Sequence, residues 1–281
     1  MQDGSSQITT WGVRSLGIEK LQKNNKTNSK IKIAIVDSGI NVDHEDLKGK
    51  IVKEYNAINP DQPVLDDYGH GTAIAGIIAS NDNQLGIQGI AANAEVYSVK
   101  FLDGYGKGSI ESLTNAIEWC IENGVQIINV SFGMASDNAN LRRIVNKALN
   151  SGIILVAAAG NNFGMPTDYP AAYEGVISVT AIDRQYHINK QFSSTGKIDF
   201  SLPGVNILTT TKDGHYAEYN GTSLASAHMT GIISLILENS DDFHINLKDK
   251  KLNEHVYKIL KEKSINLGDE NAYGNGFVKL Y

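Results

Sequence analysis

The 281-residue chain is predicted to be an α/β protein in which helices cover a mainly parallel central sheet. Five short apolar segments rich in β-branched residues support this, at residues 31–39, 95–102, 125–133, 152–160 and 175–182. Segments of this length and composition are typical of strands buried on both faces. The stretches between several of them have the apolar spacing of helices, and strands that alternate with helices form parallel sheets.

Two of the intervening helices are predicted in detail. The first begins after Ser109, which caps its N-terminus, and ends at Gly124. The second ends at Gly152. Glycine often follows the last turn of a helix because it adopts the left-handed conformation without strain. The apolar residues expected to face the core are Leu113, Ile117 and Ile121 in the first helix, and Leu141, Ile144, Val145 and Ala148 in the second.

Polar residues end three of the predicted strands. These are Asp37, Ser131 and Asn161. In open sheets of parallel strands, ligands bind in the crevice beyond the carboxyl ends of the strands. We therefore expect the functional site at this edge of the sheet.

The composition indicates one globular domain. With 41% hydrophobic and 20% charged residues, the chain is long enough to bury one large core. We find no repeat, low-complexity segment or linker that divides it. Residues 1–281 are expected to form a single domain without a prodomain, with a catalytic core over about 7–238 and a more polar, peripheral C-terminal segment over 239–281.

The charge and cysteine content exclude several classes of protein. The formal net charge is −6, which disfavours broad attraction to nucleic acid or anionic membranes. No apolar run approaches the eighteen or so residues of a membrane span. Cys120 is the single cysteine, so the chain forms no internal disulfide, and it lacks the spaced partners of a zinc site.

Three polar residues occupy positions suited to nucleophilic catalysis. Asp37 ends the first apolar strand, in D-S-G, and His70 lies in G-H-G-T just before an apolar helix. Ser223 lies in N-G-T-S, at the start of a second apolar helix, whose N–H groups favour a developing negative charge. Aspartate also ends strands merely to form a turn, and suggestive sets of Asp, His and Ser arise by chance, so no single motif is decisive.

Together these motifs resemble those of the subtilisin family of serine proteases. D-S-G is followed by H-G-T 33 residues later and by G-T-S-L-A-S after 153 more, which is the family's order. The likeness covers about residues 7–238. The ending Y-G-N-G-F-V-K-L-Y is similar to that of intracellular subtilisins, and leader-processing subtilases of lantibiotics are the other similar group. The resemblance implies a three-layer α/β/α fold and serine endopeptidase activity on polypeptides.

The resemblance assigns the catalytic roles to Asp37, His70, Ser223 and Asn161. His70 takes the proton of the Ser223 hydroxyl during attack and returns one to the leaving amine. Asp37 orients the imidazole and stabilises its protonated form. Asn161, in V-A-A-A-G-N, and the backbone N–H of Ser223 would bind the oxyanion of the tetrahedral intermediate.

In the family, substrate binds as an extended strand between two enzyme segments. They resemble Gly106-Lys107-Gly108 and Ser131-Phe132-Gly133 here, although a simple turn in G-Y-G-K-G is the alternative for the first. Asp168, in P-T-D-Y-P, aligns with the floor of the S1 pocket, where a carboxylate favours Arg or Lys at P1. The alternative is an ordinary surface or turn aspartate.

The resemblance also implies a structural Ca²⁺ site. Its ligands would be the side chains of Gln7, Asp46 and Asn83 and the carbonyl oxygens of Asn81, Leu85 and Ile87. All of these are hard oxygen donors, which Ca²⁺ prefers. The alternative is a polar loop that binds no ion.

A second, weaker cation position is implied near four other residues. These are Ala171, Tyr173, Val176 and Asp199. The positive charge of Lys197 close to them in the sequence disfavours a bound cation there.

Two biological roles fit such an endopeptidase: general intracellular protein turnover and removal of a leader from a precursor peptide. A catalytically inactive relative that only binds peptides is the alternative from a different class.

The start M-Q-D-G-S-S-Q-I-T-T-W-G lacks the features of a signal peptide, which predicts a cytoplasmic protein. The alternative is a secreted protein from which a signal and pro-segment have been removed.

Overall fold

A computed structural model describes residues 7–23 and 30–281. The strands within these ranges are β1 (Lys32–Asp37), β2 (Ile51–Asn56), β3 (Glu95–Lys100), β4 (Ile127–Val130), β5 (Ile154–Ala158), β6 (Ile177–Ile182), β7 (Phe200–Pro203), β8 (Ile207–Thr210), β9 (Tyr216–Tyr219), β10 (Ser264–Ile265) and β11 (Phe277–Val278). Nine form one sheet in the order β10-β11-β7-β6-β5-β4-β1-β3-β2, and β8 pairs with β9 separately. Neighbours in the large sheet are parallel except β10 and β11.

Helices cover both faces of this sheet. They are α1 (Trp11–Ser15), α2 (Glu19–Lys23), α3 (His70–Ala79), α4 (Ile110–Glu122), α5 (Ala139–Asn150), α6 (Thr222–Glu238), α7 (Leu252–Glu262) and α8 (Glu270–Tyr273), with a 3-10 helix at Lys190–Phe192. In β1, Ile33 and Ile35 pack in the cluster that contains α3 and α6, whereas Ala34 and Val36 pack with α4 and α5. This alternation confirms the predicted three-layer α/β/α fold, because successive side chains of a strand point to opposite faces.

The predicted helix boundaries are also confirmed. Ser109 Oγ accepts a hydrogen bond from the Ser112 N–H at 2.9 Å, and Ser112 Oγ accepts one from the Ser109 N–H at 3.0 Å. This reciprocal capping fixes the start of α4. Beyond the ends of α4 and α5, Gly124 and Gly152 have φ angles of 62° and 82°.

The C-terminal segment differs from its expected peripheral character. Val256 and Leu260 of α7 are fully buried, and Phe277 and Val278 of β11 add to the large sheet beside β7. A strand of two residues such as β11 is too short to have a measurable apolar period, so it was not predicted from the sequence.

The fold brings the starts of two helices to the carboxyl edge of the sheet. Asp37 ends β1, which lies between β3 and β4 in the sheet, while His70 begins α3 and Ser223 is the second residue of α6. Among the described residues, no helix is long and apolar enough to span a membrane.

Candidate active site

The Asp37 carboxylate and the His70 imidazole form a close pair. His70 Nδ1 lies 2.8 Å from Asp37 Oδ1 and 2.9 Å from Oδ2. Asp37 is 1% exposed, and the backbone N–H of Ser38 donates to its Oδ1 at 2.8 Å. A buried carboxylate in this position fixes the Nδ1–H tautomer and leaves Nε2 free to accept a proton.

The charge around His70 favours its protonated form. Burial of the imidazole lowers its pKa, but the charge and hydrogen bonds of Asp37, with the charge of Asp66, outweigh that effect. The net direction of the His70 pKa is upward from 6.5. The imidazole is therefore a stronger base than in a free peptide.

Ser223 lies at the positive end of α6, a 17-residue helix. Its side chain is largely buried, and its hydroxyl makes a long hydrogen bond of 3.5 Å to the Ser131 carbonyl oxygen. The N–H groups of a first helical turn have no partner within the helix, so they are available to a bound anion. The hydroxyl and these donors thus lie together at one point.

Asn161 is held beside Ser223 through its oxygen. Asn161 Oδ1 accepts hydrogen bonds from Thr222 N at 2.9 Å and Thr222 Oγ1 at 3.1 Å. Gly221 has a φ of 144°, and a Cβ there would lie 3.1 Å from Asn161 Nδ2. Because the oxygen is occupied by Thr222, the Nδ2 group is the part of the amide that remains to donate to another molecule.

These groups open into one cleft of about 570 Å³. Its lining includes His70, Ser223 and Asn161, together with Ser131, Phe132 and Gly133. The structure therefore brings together a base, a hydroxyl and two kinds of N–H donor. This combination suits acyl transfer through a tetrahedral intermediate.

A sequence model of the Subtilase family matches residues 28–276, which is most of the chain. The chain belongs to the Subtilase family. It is thus a subtilisin-type serine endopeptidase, and polypeptides are its substrates.

Curated relatives are similar in sequence to this subtilase over nearly its whole length. Minor extracellular protease Epr of Bacillus subtilis (strain 168) is 38% identical over 279 residues, which is 99% of this chain and 42% of Epr. Subtilisin DY of Bacillus licheniformis is 34% identical over 280 residues, 98% of each chain. Thermostable alkaline protease of Halalkalibacterium halodurans is 35% identical over 274 residues, which is 97% of this chain and 73% of that protein.

The two predicted substrate-binding segments differ in their position relative to the cleft. Residues 131–133 of this subtilase all line the cleft, but of residues 106–108 Gly106 alone is in its lining. Lys107 and Gly108 line a neighbouring cavity instead. The predicted turn is present as well, because Asp103 Oδ1 accepts from the N–H groups of Tyr105 and Lys107 at 2.8 and 3.0 Å.

Asp168 is not among the residues that line the cleft, but it lies against Gly133, which lines it, and against Gly160. A Cβ on Gly133 would lie 2.8 Å from Asp168 Oδ2, and a Cβ on Gly160 would lie 2.5 Å from the same oxygen. The carboxylate is half-buried, and desolvation raises its pKa, partly opposed by a hydrogen bond from Asn162. Within residues 7–23 and 30–281, Asp168 forms no ion pair with a lysine or arginine.

Several of the predicted calcium ligands lie close together. Gln7 Nε2 lies 2.5 Å from the Asn81 carbonyl oxygen and 3.3 Å from that of Ile87. Asp46 is buried; its Oδ2 accepts from Ile87 N at 2.9 Å, while its Oδ1 has no hydrogen-bond partner in the part of the chain that the structure describes. Asn83 Oδ1 instead accepts from the Leu85 N–H at 2.9 Å.

The predicted second cation position is occupied by an ammonium group. Lys197 Nζ donates to the Val176 carbonyl oxygen and lies 2.6 Å from Asp199 Oδ2. Asp199 also accepts from Ser178 N at 2.8 Å and from the hydroxyl of Tyr257 at 3.0 Å. Direct contact of the Lys197 ammonium group with the Val176 carbonyl oxygen and the Asp199 carboxylate therefore explains why it disfavours a bound cation there.

The contact of Asp66 with the start of α3 was not predicted from the sequence. Its carboxylate accepts hydrogen bonds from Ser38, Gly69 and Thr72. The available signal was an acidic residue four positions before His70, at the start of a helix that lacks a capping side chain.

Proposed function

We propose that this subtilase cleaves peptide bonds with Asp37, His70 and Ser223, and that Asn161 binds the oxyanion. The observation that carries the proposal is the Asp37–His70 pair opposite a serine at the N-terminus of α6, within one cleft. Each group is supplied by a different element, so the arrangement is a product of the whole fold.

In the first half of the reaction, His70 Nε2 takes the proton as Ser223 Oγ bonds to the substrate carbonyl carbon. Asn161 Nδ2 and the Ser223 N–H hold the oxyanion that forms. The C–N bond then breaks, and His70 gives its proton to the leaving amine. In the second half, water attacks the acyl carbon and gives a proton to His70. The C–Oγ bond then breaks as His70 returns that proton to Ser223 Oγ, which releases the carboxylic acid product.

A serine-directed phosphonate tests this proposal. We expect one phosphonyl group per molecule, located on Ser223, and loss of peptide hydrolysis in step with labelling. Ser223→Ala should lose both, whereas Ser226→Ala, which changes the neighbouring serine of the same helix, should keep labelling. An unmodified protein that neither reacts nor hydrolyses peptides would support the inactive, peptide-binding alternative.

The position of Asp168 supports a preference for Arg or Lys at P1. Its partly desolvated carboxylate lies against Gly133 and Gly160, and it has no cationic partner among the described residues. A partly buried carboxylate without a counter-ion is stabilised by an incoming cation. A guanidinium or ammonium group at P1 would supply that charge.

We also propose that the loop at residues 81–87 holds one structural Ca²⁺ ion. The buried Asp46 Oδ1, which has no partner among the described residues, and the carbonyl oxygens of Asn81 and Ile87, which converge on the Gln7 amide, fit an oxygen-rich site. If the amide of Gln7 were turned over, its oxygen would face the same point as the two carbonyls. The described residues contain no group of three or more His, Cys, Asp or Glu suited to a metal, so apart from the Asp46 carboxylate the proposed site relies on neutral oxygens.

The biological role is proposed to be general protein turnover, with leader processing as the second candidate. The cleft supports either, and a selective S1 pocket favours processing. Cleavage of a peptide library separates them: turnover predicts many cleaved sequences, and processing predicts a few that share residues beyond P1.

A cytoplasmic location remains a proposal as well. The name of the relative Epr describes an extracellular protease, which favours the secreted alternative. Immunodetection in cell lysate and in culture medium decides between the two.

A further inference from the structure

Asp66 makes four hydrogen bonds to neutral donors. Its Oδ1 accepts from Ser38 Oγ and from Gly69 N, both at 2.7 Å. Its Oδ2 accepts from Thr72 N at 3.0 Å and from Thr72 Oγ1 at 2.5 Å. The carboxylate is therefore saturated by donors on two separate parts of the chain.

These bonds join the start of α3 to the loop after β1. Gly69, the residue before α3, has a φ of 99° and offers no capping side chain, and Asp66 supplies the missing acceptor. Ser38, which Asp66 holds, also accepts from the Gly71 N–H at 2.9 Å. Asp37 precedes Ser38 and His70 precedes Gly71, so the same bonds fix the backbone of both catalytic residues.

The neighbouring Asp67 differs in each of these respects. It is exposed, and its carboxylate lies 3.4 Å from Lys100 Nζ. It makes no hydrogen bond to the start of α3 among the described contacts. Of these two aspartates, it is the charge of Asp66 that raises the pKa of His70. This effect is smaller than the effects of burial and of Asp37.

We propose that Asp66 is a positioning residue of this protease, which holds the first turn of α3 against the Asp37 loop and stabilises the His70 imidazolium formed at each proton transfer. The inference rests on the proposed role of His70 as the general base. It adds a second carboxylate that acts on the imidazole without contacting substrate.

The test compares Asp66→Asn with Asp67→Asn. Both remove one negative charge, but Asp66→Asn alone changes the contacts of α3. With a peptide that carries uncharged side chains, we expect Asp66→Asn to lower kcat about 10-fold and to change KM less than about 2-fold. We also expect the acid limb of its kcat/KM profile to move to lower pH, since the imidazole loses a favourable charge.

Each other outcome counts against the inference. An unmoved acid limb would leave Asp66 with a purely structural role, and an equal movement in Asp67→Asn would reduce the effect to general surface charge. Phosphonate titration of Ser223 counts correctly folded enzyme in the Asp66 and Asp67 variants, and circular dichroism checks the fold of His70→Ala, in which Ser223 is not activated. If His70→Ala keeps the wild-type rate, the proposed function fails; if His70→Ala is inactive and Asp66→Asn behaves as wild type, this inference alone fails.

A second variant covers the case in which Asp66→Asn does not fold. Thr72→Val removes the hydroxyl that donates to Asp66 Oδ2 at 2.5 Å, while Thr72→Ser keeps it. We expect kcat to fall about 3-fold in the valine variant and to stay near wild type in the serine variant. Equal kcat values in the two variants would overturn the inference.

Discussion

At the residue scale, the catalytic centre depends on side chains held by more than one neighbour. Asp37 is fixed by Ser38 N and His70, and Asn161 is fixed by Thr222. The order and spacing of the motifs, together with the family resemblance, were enough to propose the main catalytic candidates. The contacts that orient them come from distant parts of the chain, so the sequence alone did not indicate them.

Asp168→Asn tests the proposed P1 preference at this scale. The amide is nearly the same size as the carboxylate, but it carries no charge to pair with a basic P1 residue. We expect the ratio of kcat/KM for Arg over Phe at P1 to fall about 10- to 100-fold, mainly through the arginine substrate. Asp43→Asn, which removes an exposed charge, is the control. An unchanged ratio in Asp168→Asn would remove this residue from the S1 pocket.

The buried His228 is expected to lower the stability of the folded protein in acid. The imidazole is fully buried; its Nδ1 bonds to the Leu224 carbonyl oxygen at 2.7 Å, and desolvation lowers its pKa to about 4. In the unfolded chain the value is near 6.5, so the unfolded state binds the proton first as pH falls. Above pH 6.5, protonation of His228 does not reduce the free energy of unfolding. Between pH 6.5 and pH 4 it lowers that free energy by about 3 kcal/mol.

His228→Asn keeps an N–H donor near the position of Nδ1 but does not titrate. We expect its free energy of unfolding to fall less between pH 8 and pH 4 than that of the parent, by about 3 kcal/mol. Urea unfolding of both proteins as Ser223→Ala variants avoids self-digestion. His255→Asn changes an exposed histidine and serves as the control. Parallel pH profiles for His228→Asn and the parent would contradict the account.

At the element scale, strands and helices with long apolar patterns were predictable, and short elements were not. The segments that became β1, β3, β4, β5 and β6 are each apolar enough to be recognised in isolation. By contrast, β10 and β11 have two residues each, and their pairing depends on β7, more than 60 residues earlier. Tertiary contacts, rather than local propensity, decide such elements.

Phe277 and Ile265 allow a buried and an exposed side chain to be compared at this C-terminal edge of the sheet. They are opposite each other in β10 and β11, but Phe277 is 1% exposed and Ile265 is 49% exposed. We expect Phe277→Ala to lower the free energy of unfolding by about 3–5 kcal/mol and Ile265→Ala by less than about 1 kcal/mol. Urea unfolding of both as Ser223→Ala variants measures this difference. Equal costs would mean that the C-terminal segment is a surface addition.

At the scale of the whole molecule, the loop at residues 81–87 connects the N-terminal segment to the core. Ile8 forms a bridge with Ile87, and Gln7 reaches the carbonyl oxygens of the same loop. An ion bound there would join three separate parts of the chain, including Asp46. Ligands that bind the folded state alone raise its stability.

Removal of calcium therefore has a global consequence. We expect a chelator to lower the Tm of the Ser223→Ala variant by several degrees, and added Ca²⁺ to restore it. Asp46→Asn should have a lower Tm that no longer responds to the chelator, whereas Asp43→Asn should respond as the parent does. A Tm of the parent that is the same with and without chelator would argue against the site.

The central claim is that Ser223, activated by His70 and Asp37, carries the acyl group during peptide hydrolysis. It is tested most directly by mixing the enzyme with a p-nitrophenyl ester and following the release of p-nitrophenol in the first turnover. We expect a burst of one equivalent per active site, and acid quenching should leave the acyl group on the proteolytic fragment that contains Ser223. A burst that persists in Ser223→Ala, or an acyl group found on another residue, would contradict the claim.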